Sequence, residues 1–452
     1  MMSRHRTPAR RPTLAFLVGV ITFAAPLLHG QGGAPAVTQP PAAAMTLAIR
    51  SEVIGAAVAG LAQAYVDPEA GLAIGQGLAA KLKAGAYDQI TNPAQFAEAV
   101  TRDLRAVNGD LHLGLRFSPA PPAAGRPAFD PFRDAERQNF GFGRAEILEG
   151  NVGYLEITGF NGAKGYQEVA VDALRFLSRA DAVIIDLRRN GGGSGETTHF
   201  VFSHFLGATP VPTIKVQSRS DPDGTVRRSL ASVPGPRRPD VPLFLLTSQG
   251  TASAAEEFSF VLKNLKRATL VGTRTAGAGH MVASRPVGHG FSLSVSITRV
   301  SDPVSGREWE QVGVQPDLAV PAERALLEAH AAALRAIATA NTDSGRAAML
   351  TRLLEAAEAR REPKPVDPSR LARFAGAYEG RMVTLVDGRL VYSRVAGALG
   401  TDLVPLGGDR FALGATRLHF ENQGGTVRVT IEQPDGTRVS LIRTGAAAGP
   451  AK

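Results

Sequence analysis

The sequence predicts an α/β fold: a mainly parallel sheet covered by helices, preceded by a helical bundle and followed by a small antiparallel β-domain. Two observations carry this. Within residues 136–320, apolar runs such as Val183-Ile184-Ile185 and Leu243-Phe244-Leu245-Leu246 alternate with helical stretches, the pattern of strands buried on both faces. From about residue 366 the pattern becomes short alternating strands around turns such as Asp387-Gly388, which suits an antiparallel sheet. A chain of 452 residues, 44% hydrophobic and 20% charged, can hold roughly two to four domains with real cores.

The first 31 residues have the form of a secretory signal. Arg4, Arg6, Arg10 and Arg11 precede the apolar run Leu14–Ala25, which is too short for a membrane span and is broken by Pro26 and His29. The expectation is export to the periplasm or the medium, with no stable membrane span once the leader is removed. Losing four arginines lowers the net charge from +9 to a mild +5, and no Lys/Arg block is interleaved with aromatics, which argues against nucleic-acid binding. The chain has no cysteine, which excludes disulfides, thiolate metal sites and a cysteine nucleophile.

A low-complexity spacer (32–45) leads into a helical domain (46–117). Ile49, Val53, Ile54, Ala57, Val58, Leu61 and Tyr65 fall on one face of a first helix; 70–84 and 92–107 fit two more. The domain ends at Asn108-Gly109-Asp110-Leu111-His112-Leu113. A Pro-rich linker (118–135) precedes the α/β domain (136–320), with strands at 142–148, 152–157, 182–187, 243–246 and 268–271, helices near 195–206 and 253–265, and a hairpin-like excursion over 213–230. Two helices fit 321–365, broken near Asn341–Gly345, and the β-domain runs from 366 to 446.

Active sites in parallel sheets collect at the carboxyl ends of strands. Two turns lie there. Asp186-Leu187-Arg188-Arg189-Asn190-Gly191-Gly192-Gly193 leaves one strand through glycines that let backbone N–H groups approach an anion. Gln249-Gly250-Thr251-Ala252-Ser253-Ala254-Ala255-Glu256 leaves the next, and places Ser253 where a strand turns into a helix. Such a serine is either a helix cap or a nucleophile with helix-start amides beside it.

These motifs, with Ala268–Gly277 and Gly313-Val314-Gln315-Pro316-Asp317, resemble the C-terminal processing (tail-specific) serine peptidases, in the branch similar to interphotoreceptor retinoid-binding protein and the tricorn core. The resemblance covers about residues 46–320. It implies a crotonase/ClpP-like sheet, a polypeptide substrate, and an acyl-enzyme on Ser253 that needs neither metal nor cofactor. Ser-Lys members place their lysine where this chain has Ala278, and the segment after Leu113 leaves no room for a PDZ module. The resemblance therefore implies His112 as base, Glu310 as the residue that orients or polarises the catalytic group, and the N–H groups of Gly192 and Ala254 as the oxyanion hole. Leu111 stands where the tricorn core has a serine, so its tetrad is not copied whole. Glu256 and Asp186 read as structural. A non-catalytic binder of apolar ligands or polypeptide tails is the alternative, and oligomeric state is not legible.

Overall fold

A computed structural model describes residues 45–118, 131–395 and 397–445. The leader, nearly all of the spacer and most of the Pro-rich linker lie outside the described residues. In chain order the elements are α1 (Leu47–Ala64), α2 (Pro68–Lys83), α3 (Pro93–Arg105), β1 (Gly114–Phe117), α4 (Pro131–Arg137), β2 (Phe142–Leu148), β3 (Val152–Ile157), α5 (Tyr166–Phe176), β4 (Ala182–Asp186) and α6 (Gly195–Ser203). Then come β5 (Pro212–Ser218), β6 (Asp221–Arg228), β7 (Leu243–Thr247), α7 (Ala254–Asn264), β8 (Thr269–Gly272), β9 (Met281–Gly288), β10 (Phe291–Ser301), β11 (Leu318–Ala319), α8 (Ala325–Ala340) and α9 (Ser344–Arg361).

The central sheet has the order β11-β8-β7-β4-β3-β2, parallel throughout except for the edge strand β2. Every residue of β4 and β7 is buried, because helices cover both faces. On one side Val183, Ile185 and Leu245 pack with α5, α6 and α7; on the other Ile184, Phe244 and Leu246 pack with α8 and α9. Successive residues of one strand thus serve opposite cores, which is why these strands read as unbroken apolar runs.

A second sheet, antiparallel, was not foreseen: β1-β10-β5-β6, with β9 also on β10. The expected helices α1–α3 do not close a core by themselves. Val53, Ile54, Ala57, Leu61, Phe96 and Val100 share one with Phe291, Leu293 and Val295 of β10. Close approach is built in at Gly60, where a Cβ would lie 3.1 Å from Leu293 Cδ2. Among the described residues α1 alone is long and apolar enough to cross a membrane, but its apolar face is spent on this core.

Two elements escaped the sequence reading. Helix α5 starts without a side-chain cap, at Gly165 with φ 103°. The β9–β10 hairpin turns at His289-Gly290, both with positive φ, where Asn-Gly would have been the usual signal. After α9, a short helix Pro368–Phe374 precedes a nine-stranded antiparallel sheet within Gly376–Gly445, counted among the described residues, whose core includes Phe374, Tyr378, Phe411 and Phe420.

Candidate active site

The glycine turn after β4 and the serine turn after β7 are stitched together before any catalytic group is considered. Thr251 Oγ1 donates to Leu187 O (2.8 Å), Ser248 Oγ to Arg188 O (2.6 Å), and the Ala252 amide to Asn190 O (3.0 Å). Gly192, at φ 107°, abuts the serine: a Cβ there would sit 2.7 Å from Ser253 Cβ, inside any tolerable contact. Ser253 itself takes φ 54°, ψ −121°, a costly backbone for a residue with a side chain. Its amide donates to Glu256 Oε2 (2.9 Å), as in a capping box at the start of α7, and its hydroxyl faces His112.

Glu256, fully buried, explains how that strain is held. One oxygen accepts from Thr275 Oγ1 (2.5 Å) and the Gly277 amide (2.7 Å), the other from the amides of Ser253 (2.9 Å) and Ala278 (2.8 Å). Burial raises its carboxyl above the ordinary value, against the pull of these donors. At the position of a lysine base, this chain thus offers a backbone amide to a structural carboxylate. Asp186 is structural too, bonded to the Arg188 amide (3.0 Å) and guanidinium (2.6 Å) and to Tyr154 Oη (2.8 Å).

His112 comes from the turn after α3, and its Nε2 lies 3.2 Å from Ser253 Oγ. The sequence separation is 141 residues; the contact exists because the helical layer is packed onto β10. The turn is fixed by Asp110, which is fully buried: its Oδ1 accepts the His112 amide (2.9 Å), and its Oδ2 accepts Tyr65 Oη (2.9 Å). Burial first, and then the charges of His280 and Arg105, push the His112 imidazole below the ordinary histidine value; Asp110 opposes them. That direction favours the neutral ring, which can take a proton at Nε2 in the tautomer that carries its hydrogen on Nδ1, a buried atom with no partner among the described residues.

Glu310 lies near the site, and among the described residues no hydrogen bond joins it to His112 directly. Its Oε2 accepts the amides of Gly279 (2.5 Å) and His280 (3.0 Å) and lies 3.8 Å from His280 Nδ1. That same Nδ1 is 3.2 Å from Asp110 Oδ2. His280, which the sequence reading did not single out, thus stands between the two carboxylates. Donor atoms of Asp110, His280 and Glu310 lie within 4.8 Å of one another, close enough to bridge a cation. Asp110 Oδ2 accepts from Tyr65 and Glu310 Oε2 from two amides, while Glu310 Oε1 is buried with no partner among the described residues.

The oxyanion expectation needs one correction. The Gly192 amide donates to Asn190 Oδ1 (2.9 Å), and Asn190 is itself buried and anchored to Ile157 O (3.0 Å). This side chain closes the glycine turn on itself, so Gly192 contributes space rather than a free donor. The Ala254 amide, at the first position of α7, has no partner among the described residues. One turn further on, Glu257 is buried with Oε1 unpartnered, and burial lifts its carboxyl to about 7.

Residues 151–320 match the model of Peptidase family S41, a span that includes Ser253 and Glu310 and leaves out His112. The likeness to C-terminal processing peptidases drawn from the motifs is borne out over this span. Among similar proteins are a carboxyl-terminal-processing protease of Synechocystis, 34% identical over 170 residues (37% of each chain), and the chloroplastic carboxyl-terminal-processing peptidase 2 of Arabidopsis thaliana, 30% identical over 175 residues (38% of this chain, 32% of that one). The chain spans about a third of the length of these relatives. Among solved structures, a lipoprotein from Streptococcus agalactiae aligns over 67% of this chain and 100% of its own, with a TM-score of 0.47 and 16% identity.

Proposed function

We propose that the protein is an exported serine peptidase that hydrolyses polypeptides through an acyl-enzyme. The observation that carries this is a hydroxyl on a strained turn, 3.2 Å from the Nε2 of a histidine pushed towards its neutral form. Ser253 Oγ attacks the scissile carbonyl carbon as His112 Nε2 takes its proton. The carbonyl oxygen becomes an oxyanion facing the Ala254 amide, whose worth as a single preorganised donor is about 10²–10³ in rate. Collapse expels the amine, which leaves with the proton from His112. Water then attacks the ester with His112 again as base and frees Ser253. Glu310 acts at one remove, through its grip on the turn that carries His280.

The test is labelling by a fluorophosphonate probe together with hydrolysis of an unstructured polypeptide. Wild type should react on both counts, and Ser253→Ala and His112→Ala on neither. Full peptidase activity in purified Ser253→Ala sinks the assignment. Absence of labelling in folded wild type points instead to the non-catalytic binder.

A further inference from the structure

We propose that His280 is the positioning residue of this site: clamped between Asp110 and Glu310, it joins the turn that carries His112 to the turn docked on Ser253. The inference rests on the peptidase reading and extends it to a residue whose sequence context gave no sign of a role.

The contacts form a closed circuit. From the Ser253 amide the path runs to Glu256, then to the Gly277 and Ala278 amides, along the chain to His280, across to Asp110, and from Asp110 Oδ1 to the His112 amide. The His112–Ser253 bond closes it. Glu310 holds the His280 end through the amides of Gly279 and His280. Without His280, no hydrogen bond between side chains ties this turn to Asp110 among the described residues.

Charge is the second half of the case. Asp110 is 0% exposed and the Glu310 side chain 8%, and among the described residues neither has a lysine or arginine partner. Two carboxylates facing each other in a dry site are stabilised by a shared proton or by a cation between them. Burial and then Asp110 raise the Glu310 carboxyl against the pull of His280, which is the cationic group in reach. The charged and titratable groups around it are Asp110 and His112 from the turn after α3, Tyr65 from the end of α1, and Glu308 and Glu310 from the segment after β10. Burial pushes the His280 imidazole down, but the hydrogen bond to Asp110 and the charges of Glu310 and Asp110 outweigh it and raise the group. His280 in turn lowers His112. Neighbouring histidines driven in opposite directions are what a neutral base beside a fixed cation requires.

His280→Asn keeps a donor near the Nδ1 position and removes the charge. The experiment follows kcat/KM against pH and the histidine ring NMR titrations of wild type and this variant. In the variant, His112 should titrate about one pH unit higher, so its activity relative to the plateau should drop about tenfold near the foot of the acid limb. The alkaline limb of wild type, where His280 loses its proton, should disappear. An unchanged His112 titration in folded His280→Asn overturns the inference. If the variant does not fold, wild type alone decides: one imidazole of the pair must titrate above 6.5 and the other below, and two ordinary titrations overturn it. A His112 shift without any fluorophosphonate labelling of wild type would sink the peptidase reading and leave the coupling standing.

Discussion

Ser253 keeps φ at 54° because both of its neighbours are constrained: Gly192 leaves room on one side, and Glu256 grips its amide on the other. Gly192→Ala should therefore abolish probe labelling and cost about 1–3 kcal/mol in thermal or urea unfolding, since φ 107° and a 2.7 Å clash cannot both be relieved. Glu256→Gln turns one of two accepting oxygens into a donor facing donors. Its expected cost is about 2–4 kcal/mol, with loss of labelling, read in the same two assays. Glu257 acts in the other direction. Its carboxyl titrates near 7 when folded against an ordinary 4.5, so the folded state is penalised as pH rises from 4.5 to 7. Glu257→Gln should be more stable than wild type by roughly 3 kcal/mol above pH 7, and the gap should close by pH 4, measured by urea unfolding across pH.

At the scale of elements, the decisive contact is between α1 and β10. Leu293 is 0% exposed, beneath Gly60 and within the core shared by α1, α3 and β10. Leu293→Ala should cost about 2–5 kcal/mol. It should lower kcat more than it raises KM, because the layer it loosens carries His112 and not Ser253; steady-state kinetics beside a melting curve separates the two effects. Much at this scale was legible. β2 and β3 have the bounds expected from their alternation, and the break between α8 and α9 falls at Asn341–Asp343. The β9–β10 hairpin was not legible, since Pro286 lies in one strand and its turn is His-Gly, although the Phe291, Leu293, Val295 alternation was there to be seen.

For the whole molecule, the joint between the helical layer and the α/β layer has a pH window. Burial disfavours the Asp110 charge, yet the His280 hydrogen bond and the His112 amide hold its carboxyl well below the ordinary range. That contribution is present above the unfolded value of 3.8 and fades as pH falls through the folded one. His280 is raised, so its contribution is complete below 6.5 and fades as pH rises through its folded value. Stability of the joint should peak in between. Asp110→Asn should destabilise by about 3 kcal/mol at pH 6 and converge on wild type in strong acid, followed by thermal unfolding across pH.

Ser253, His112, the glycine turn and the parallel sheet were legible because each leaves a local mark: an apolar run, a turn residue, or a motif of consecutive residues. Ala278 likewise excludes a lysine base at that position from the sequence alone. Tertiary structure alone decided three things. It put His112 Nε2 against Ser253 Oγ across 141 residues, it closed the Gly192 amide onto Asn190, and it set His280 between Asp110 and Glu310. These depend on which buried groups share one dry space, and hydrogen-bond partners and charge balance in such a space follow from packing rather than from neighbours along the chain.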